Sequence, residues 1–380
     1  MDAKRELCRY FESGATPEKR IGIELEHFVI KPDGMPLEYY GGVEGILSDL
    51  AAEFDRVFYE DGSILGMVND EFSLTLEPGA QLEVSICPMD SVDKVKTAFD
   101  RFYRMVTPVT EKYGARLVTV PAVSEKQLDG IGLIPKKRYE YMDNYFKTSG
   151  TMGRYMMRGT ASAQVSVDYC CEADFVRKFR AAYLLSPLFA LLLANGEPGS
   201  DMYLKRIEIW DNVDEIRTSA PPDLFDEGFG FASYAGHLLS VPAIFVPQNG
   251  GYVYTGDETI ASLAKRLGTD GGLLEHYLSM VFPDVRLKNY IEIRITDSVN
   301  AELAAEYGGL VMSVMYNDAA IDDILSRYAG VGIEDIKRAK KSVRERGVDA
   351  AVYGRSAREE TAHLFELAGT EIGGVNYDKK

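Results

Sequence analysis

The sequence predicts an α+β fold in a single domain, and three observations carry that expectation. Short alternating stretches are scattered among helix-periodic ones, without the regular βαβ alternation of a parallel sheet. No Pro-, Gly- or Ser-rich linker divides the 380 residues, and 46% hydrophobic residues suffice for one large core. Several alternating stretches keep one face apolar while the other collects carboxylates and amides. The domain is expected to cover residues 1–380, becoming mostly helical from about 297.

Taken in order, Ala3 to Phe11 reads as a charged amphipathic helix. Ile21 to Ile30 alternates, with Ile21, Ile23, Leu25 and Val29 on one face and Gly22, Glu24, Glu26 and Phe28 on the other. The turn signal Lys31-Pro32-Asp33-Gly34-Met35-Pro36 then predicts a hairpin. A helix is expected around Val43 to Glu53, and two strands near Ser63 to Val68 and Phe72 to Ile86. Val92, Val95, Phe99, Phe102 and Val106 recur at helical spacing between Ser91 and Tyr113, with Ser91 as N-cap and Pro108 as a point of strain. Arg116 to Val123 and Ser162 to Tyr169 read as strands, and Glu172 to Asn195 as a long buried helix. After the loop from Asp211 to Gly230 comes a short strand, Val241 to Pro247. The rest reads as helical apart from a strand at Asn289 to Thr296, and residues 376–380 read as a loose tail.

Charge excludes some functions. Lys and Arg number 42 against 59 Asp and Glu, a formal net charge of −17. Such a surface repels nucleic-acid phosphates and anionic membranes, so neither is an expected partner. The longest apolar run, Ala181 to Ala194, is too short to span a bilayer. The residues after Met1 lack the apolar core of a signal peptide. Cys8, Cys87, Cys170 and Cys171 show no metal spacing, which suits a reducing cytoplasm. Cys170 and Cys171, ending a strand, read as small buried thiols.

The chemistry sits on the polar strand faces. Glu24 and Glu26 share a face, as do Glu77 and Glu83, six residues apart in one extended stretch. Glu292 and Arg294 share a face with Tyr290 and Thr296, and Ser162, Gln164, Ser166 and Asp168 form a fourth such row. Clustered carboxylates raise one another's pKa unless cations neutralise them. Oxygen-only ligands suit Mg²⁺ or Mn²⁺, and an arginine among them suits a phosphoryl group. Together they point to nucleotide phosphates. No G-x-x-x-x-G-K-[ST] loop and no H-E-x-x-H pair occurs, and Gly228 to Ser233 only half resembles a dinucleotide fingerprint. The four histidines are scattered, and His27 falls on the apolar side of its strand, as a core residue would.

These motifs resemble the plant and proteobacterial type of glutamate–cysteine ligase. Gly22-Ile23-Glu24-Leu25-Glu26-His27-Phe28 matches that family's G-x-E-x-E-x-F, and Leu76 to Ser85 matches its LEPGGQ-x-E-L-S with Ala80 for a glycine. Gln164 to Asp168 resembles its Q-V-N-L-D. Segments 172–195, 206–218, 229–246 and 282–294 follow in the same order. The resemblance implies a glutamine-synthetase-like fold, a curved antiparallel sheet forming a half-open funnel with helices packed outside. It implies ligation of the γ-carboxylate of glutamate to the amine of cysteine, with ATP forming a γ-glutamyl phosphate. On that footing Glu24, Glu26, Glu77, Glu83 and Glu292 become metal ligands, with Glu83, Glu292 and Arg294 central to catalysis. Arg294 and Lys288 would meet the ATP phosphates. Arg217 would clamp a phosphate or a substrate carboxylate, and Gln164 and Arg158 would touch substrate. A monomer or homodimer is expected.

The chain departs from the family pattern twice. Gly159 stands where plant members carry an arginine before the strand, with Arg158 one position earlier. Ser298-Val299-Asn300-Ala301 replaces a GGPW turn. A γ-glutamyl ligase for another amine, a guanidino phosphotransferase and an inactive metal- or nucleotide-binding relative are the alternatives. The last is opposed by the intact glutamate sets, and the phosphotransferase by the lack of an evident reactive cysteine.

Overall fold

A sheet of nine antiparallel strands organises the molecule. The computed structural model describes residues 2–270 and 272–373, so the expected tail at 376–380 lies outside them. In chain order the strands of the main sheet begin with β1 (Ile21–Ile30), β2 (Arg56–Glu60), β3 (Ser63–Val68) and β4 (Phe72–Leu76). They continue with β5 (Leu82–Met89), β6 (Arg116–Val118) and β7 (Ala163–Val167). A separate hairpin of β8 (Pro242–Gln248) and β9 (Gly251–Thr259) precedes β10 (Val285–Leu287) and β11 (Ile291–Ile293), which return to the main sheet. Its order is β10-β11-β7-β1-β5-β4-β3-β2, with β6 paired to the far end of β1. The α+β expectation holds, with a large antiparallel sheet and no barrel.

One face of the sheet is dry because alternate residues are aliphatic. Ile21, Ile23 and Leu25, then Val84, Leu74, Val165, Val167, Ile291 and Ile293, are all buried. Helix Ala301–Met315 packs against β1 and β7. Helix Val92–Lys112, which contains Pro108, packs against β1, β5 and β6. Helix Glu172–Leu192 packs against β10 and β11 and in turn carries the helices Asp318–Arg327 and Ile333–Arg346. His27 lies wholly inside this core between Leu82 O (3.2 Å) and Tyr103 Oη (2.6 Å), and burial pulls its pKa down to about 4. It is a neutral core residue, as its strand phase predicts.

Local chemistry decides where the chain turns, and here the structure corrects several expectations. The stretch Phe72 to Ile86 is not one strand but the hairpin of β4 and β5. Pro78 lacks an N–H, Ala80 takes a left-handed φ of 66°, and Glu77 N donates to Gln81 O at 3.0 Å to close the turn. Glu77 therefore sits at the mouth of a turn rather than six places along the same strand as Glu83. The hairpin after β1 is reduced to a turn, with Lys31 N on Met35 O (2.8 Å) and a single bridge between Ile30 and Pro36. The strands β2, β9 and β10 were not expected at all.

Cys170 and Cys171 are exposed, not buried. β7 ends at Val167, and the two thiols fall in the turn before helix Glu172–Leu192, where Cys170 N is held by Asp174 (2.8 Å). Among the described residues no helix is long and apolar enough to cross a membrane.

Candidate active site

Register builds the polar face. Glu26 pairs directly with Glu83, and Glu83 with Thr75. Glu24 lies between Ser85 on β5 and Gln164 on β7. Glu292 lies between Ser166 on β7 and Arg286 on β10. Side chains alternate across a strand, so these residues share one face of the sheet while their neighbours fill the core. Glu77 extends the Thr75 face by two residues, which brings it back towards Glu83 despite the intervening turn.

Gly79 fixes that turn against the rest of the site. A Cβ there would lie 2.7 Å from the backbone oxygen of Arg158, so the position tolerates no side chain without backbone movement. Gln81 completes the lock: its Oε1 accepts from Gly79 N (2.9 Å) and its Nε2 donates to Thr160 O (2.9 Å). Gly79→Ala should cost about 1–3 kcal/mol of stability by overpacking. Denaturant melts measure that loss, and an unchanged midpoint would contradict the close approach.

The carboxylates divide into two electrostatic groups. In the first, burial and then the charges of Glu83 and Glu292 push Glu24 up to about 7. Burial and then Glu83 and Glu26 push Glu77 up to about 8. Glu83 is raised by burial and by Glu26, although Thr75 Oγ1 (2.7 Å) and Ser85 Oγ (3.3 Å) donate to it. Burial also raises Glu26, against the charge of Arg206 and donors at Ser162 N (2.9 Å), Ser162 Oγ (2.8 Å) and Gln164 Nε2 (3.0 Å). No hydrogen-bond donor to the Glu24 or Glu77 carboxylate is seen among the described residues. These two carry the least compensated charge.

Glu292 is the opposite case. Burial alone would raise its pKa, but Arg286, Lys288 and Arg294 outweigh that and hold it well below the usual carboxylate range. Its Oε2 accepts from Arg286 Nε (2.7 Å) and Arg294 Nη1 (2.9 Å), and its Oε1 from Lys288 Nζ (2.9 Å). With both oxygens so engaged, Glu292 anchors a cationic cluster. That departs from its expected place among the metal ligands, because three cations already neutralise it.

Gln164 joins the two halves. Its amide oxygen accepts from Arg294 Nη1 (2.5 Å) while its amide nitrogen donates to Glu26. The amide thus turns its acceptor to the cations and its donor to the anions. Arg294 is further held through its backbone, its N–H on Asp284 O (2.8 Å) and its carbonyl capped by Arg206 Nη1 (3.2 Å).

The sequence-predicted set is therefore only partly gathered. Glu24, Glu26, Glu77, Glu83, Gln164, Lys288, Glu292 and Arg294 share one electrostatic neighbourhood. Arg217 does not join it. It is fully buried, with Nε on Asp214 (2.9 Å), Nη1 on Met280 O (2.8 Å) and its guanidinium over the Tyr145 ring (4.8 Å). Arg158 also stands elsewhere: it ends the helix Gly153–Gly159 instead of opening a strand, and it bonds Asp143 (2.5 Å) and Ile131 O (3.3 Å). Both guanidiniums are committed to interior acceptors.

Two residues that the sequence reading missed complete the site. Arg286 is two positions before Lys288, in the strand phase that faces Glu292, so alternation alone could have found it. Arg206 is buried in the helix Lys205–Asp211 and caps the carbonyls of Arg294, Ile295 and Thr296. No local sequence signal reports that contact. Among the described residues no three His, Cys, Asp or Glu side chains are gathered closely enough to hold a metal ion. The donor set of the uncompensated half is nonetheless all oxygen and anionic, which fits a hard divalent cation.

Comparison with known proteins agrees with this geometry. Residues 20–371 match the profile of glutamate-cysteine ligase family 2 (GCS2). The chain is 30% identical over 380 residues to glutamate–cysteine ligase B, chloroplastic, of Oryza sativa subsp. japonica, covering 96% of this chain and 76% of that one. It is 30% identical over 380 residues to the chloroplastic glutamate–cysteine ligase of Medicago truncatula, covering 96% and 75%. The Arabidopsis thaliana chloroplastic enzyme is 31% identical over 337 residues, covering 85% and 64%. In fold, the chain is similar to the glutamate–cysteine ligase of Francisella tularensis solved in complex with AMP. There the TM-score is 0.54 at 12% identity, over 93% of this chain and 78% of that one. These relatives overturn the expected cytoplasmic location, since the plant enzymes matched here are chloroplastic by name. With the match running over almost its whole length, the chain belongs to glutamate-cysteine ligase family 2.

Proposed function

We propose that this protein joins the γ-carboxylate of L-glutamate to the amine of L-cysteine at the expense of ATP, yielding γ-glutamylcysteine, ADP and phosphate. The observation that carries this reading is family membership across residues 20–371, borne by the chain that forms the two-part polar face. A carboxylate is a poor acyl electrophile, so the γ-carboxylate oxygen first takes the terminal phosphoryl group of ATP and ADP leaves. The cysteine amine then attacks the acyl carbon, phosphate departs with the C–O bond electrons, and the amine loses a proton.

The residues divide that labour. Arg294, aimed by Gln164 and Glu292, and Lys288 supply positive charge where the transferring phosphoryl group builds negative charge. Glu292 keeps these cations in place. Glu24, Glu77 and Glu83 would hold a divalent cation, Mg²⁺ or Mn²⁺, with Glu26 fixed beside them by Ser162. Such an ion screens phosphate charge and orients the nucleotide.

The test is ADP release from Mg-ATP and glutamate with a panel of amines that includes cysteine. Clear preference for cysteine is the expected result. Preference for another amine would overturn the acceptor assignment, and no ADP with any amine would overturn the ligase reading.

A further inference from the structure

The cations around Glu292 occupy one end of the polar face. A second cationic pair stands at the other end, beside Glu77. Residues 131–139 wrap the turn that carries Glu77: Ile134 N donates to Pro78 O (3.0 Å) and Tyr139 Oη to Leu76 O (3.3 Å). That packing sets Lys136 at the start of helix Lys137–Phe146, with Arg138 in its first turn. Both side chains are half-buried, and both lie against the Tyr139 ring, Lys136 Nζ at 4.9 Å and the Arg138 guanidinium at 5.8 Å from its centre.

Among the described residues neither of these cations forms an ion pair. Lys178, Lys288 and Lys340, by contrast, each reach a carboxylate at 2.7–2.9 Å. Arg138 gives Nη2 to Ser279 Oγ at 3.3 Å, and its Nε is buried without a partner among the described residues. Burial and then the charge of Arg138 pull the Lys136 pKa down, and Glu77, Glu60 and Glu83 oppose this from beyond ion-pair distance. Two like charges against one ring repel until an anion joins them.

On the ligase reading, on which this rests, we propose that Lys136 and Arg138 bind the α-carboxylate of an amino-acid substrate. Besides the phosphates of ATP, each amino acid brings such a carboxylate to this face. The phosphates are met at the Glu292 end by Lys288 and Arg294, which leaves the pair at the Glu77 end for a smaller anion. A carboxylate is planar and singly charged, and a guanidinium with a neighbouring ammonium can engage its two oxygens together. Held there, the amino acid lies along the row of glutamates with its reacting group towards Arg294. The two cation pairs thus divide the work: one meets the transferring phosphoryl group, the other recognises the substrate as an amino acid.

Steady-state ADP release by Lys136→Met and Arg138→Gln, with one substrate varied at a time, tests this. Each variant is expected to raise KM at least about tenfold for one amino acid, cysteine or glutamate, and to change KM for the other and for ATP less than about threefold. If cysteine is the source, selectivity for cysteine over cysteamine, which lacks the carboxylate, falls by the same factor. If glutamate is the source, that selectivity holds. Thermal melts show whether the variants are folded, and Lys136→Met decides alone if Arg138→Gln is not, since the Lys136 side chain makes no hydrogen bond among the described residues. A folded Lys136→Met with wild-type KM for every substrate overturns the assignment, as does a rise for ATP alone or an equal rise for both amino acids. A wild type that releases no ADP with any amine overturns instead the ligase reading beneath it.

Discussion

Arg294→Lys should lower the rate of ADP formation roughly a thousandfold while the protein still folds. The residue is fixed at both ends: Gln164 and Glu292 grip Nη1 of the guanidinium, while Asp284 O holds the backbone N–H and Arg206 caps the carbonyl. That fixation leaves Nε and Nη2, which meet no acceptor among the described residues, to a planar phosphoryl group, which an ammonium on a flexible stem cannot match. Arg286 and Lys288 still neutralise Glu292 in the variant, so no buried charge is stranded. Steady-state kinetics with ATP varied make the measurement. A loss confined to KM would assign Arg294 to uniform nucleotide binding, and an unchanged kcat would remove it from phosphoryl transfer.

The second large effect is on stability. Without divalent cation, the protein should lose stability as pH rises from about 5 to 8, its melting temperature falling by roughly 5 °C or more. Glu24 and Glu77 are held at about 7 and about 8, above the ordinary 4.5, by burial and by one another's neighbours. A carboxylate whose folded pKa is raised contributes nothing adverse below its unfolded value. Its penalty starts above the ordinary 4.5, grows as pH climbs to the folded pKa and is complete above it, about 7 for Glu24 and about 8 for Glu77. Glu292 has the reverse sign: its stabilisation is present above the ordinary value and fades only as pH falls through its depressed one. Millimolar Mg²⁺ should therefore raise the melting temperature more at pH 9 than at pH 6. Melts indifferent to both pH and Mg²⁺ would mean that the carboxylates are compensated in some other way.

Much of this site was legible because alternation is a local property. The phases of Glu24 and Glu26, of Gln164 and of Glu292 can be counted along the chain, and the sheet register then stacks them, with Arg294 bonded to Glu292 and Gln164 just past the end of β11. Two of the missed strands, β2 and β9, also left local marks. Asp61-Gly62 between β2 and β3, and Asn249-Gly250 between β8 and β9, take left-handed φ at both turn residues, as a two-residue hairpin loop requires. Reading Phe72 to Ile86 as one strand failed for the related reason that Ala80 reaches a left-handed φ without being glycine.

What could not be read is which acceptor a long cation finds. Arg158, Arg217, Lys288 and Arg294 look alike in sequence, yet Asp143 and Asp214 take the first two and Glu292 the others. Burial and a fixed carboxylate partner decide that, and both are set by distant parts of the chain. The capping of three carbonyls by Arg206 is the same kind of fact.

On the proposed function, Glu24, Glu77 and Glu83 hold a divalent cation for the nucleotide. Electron paramagnetic resonance of Mn²⁺ titrated into the protein with ATP, in wild type and in Glu83→Gln, measures it directly. Wild type should bind Mn²⁺ with a spectrum that changes when ATP is added, and Glu83→Gln should bind it at least about tenfold more weakly. Equal Mn²⁺ affinity in the two proteins would place the cation away from Glu83.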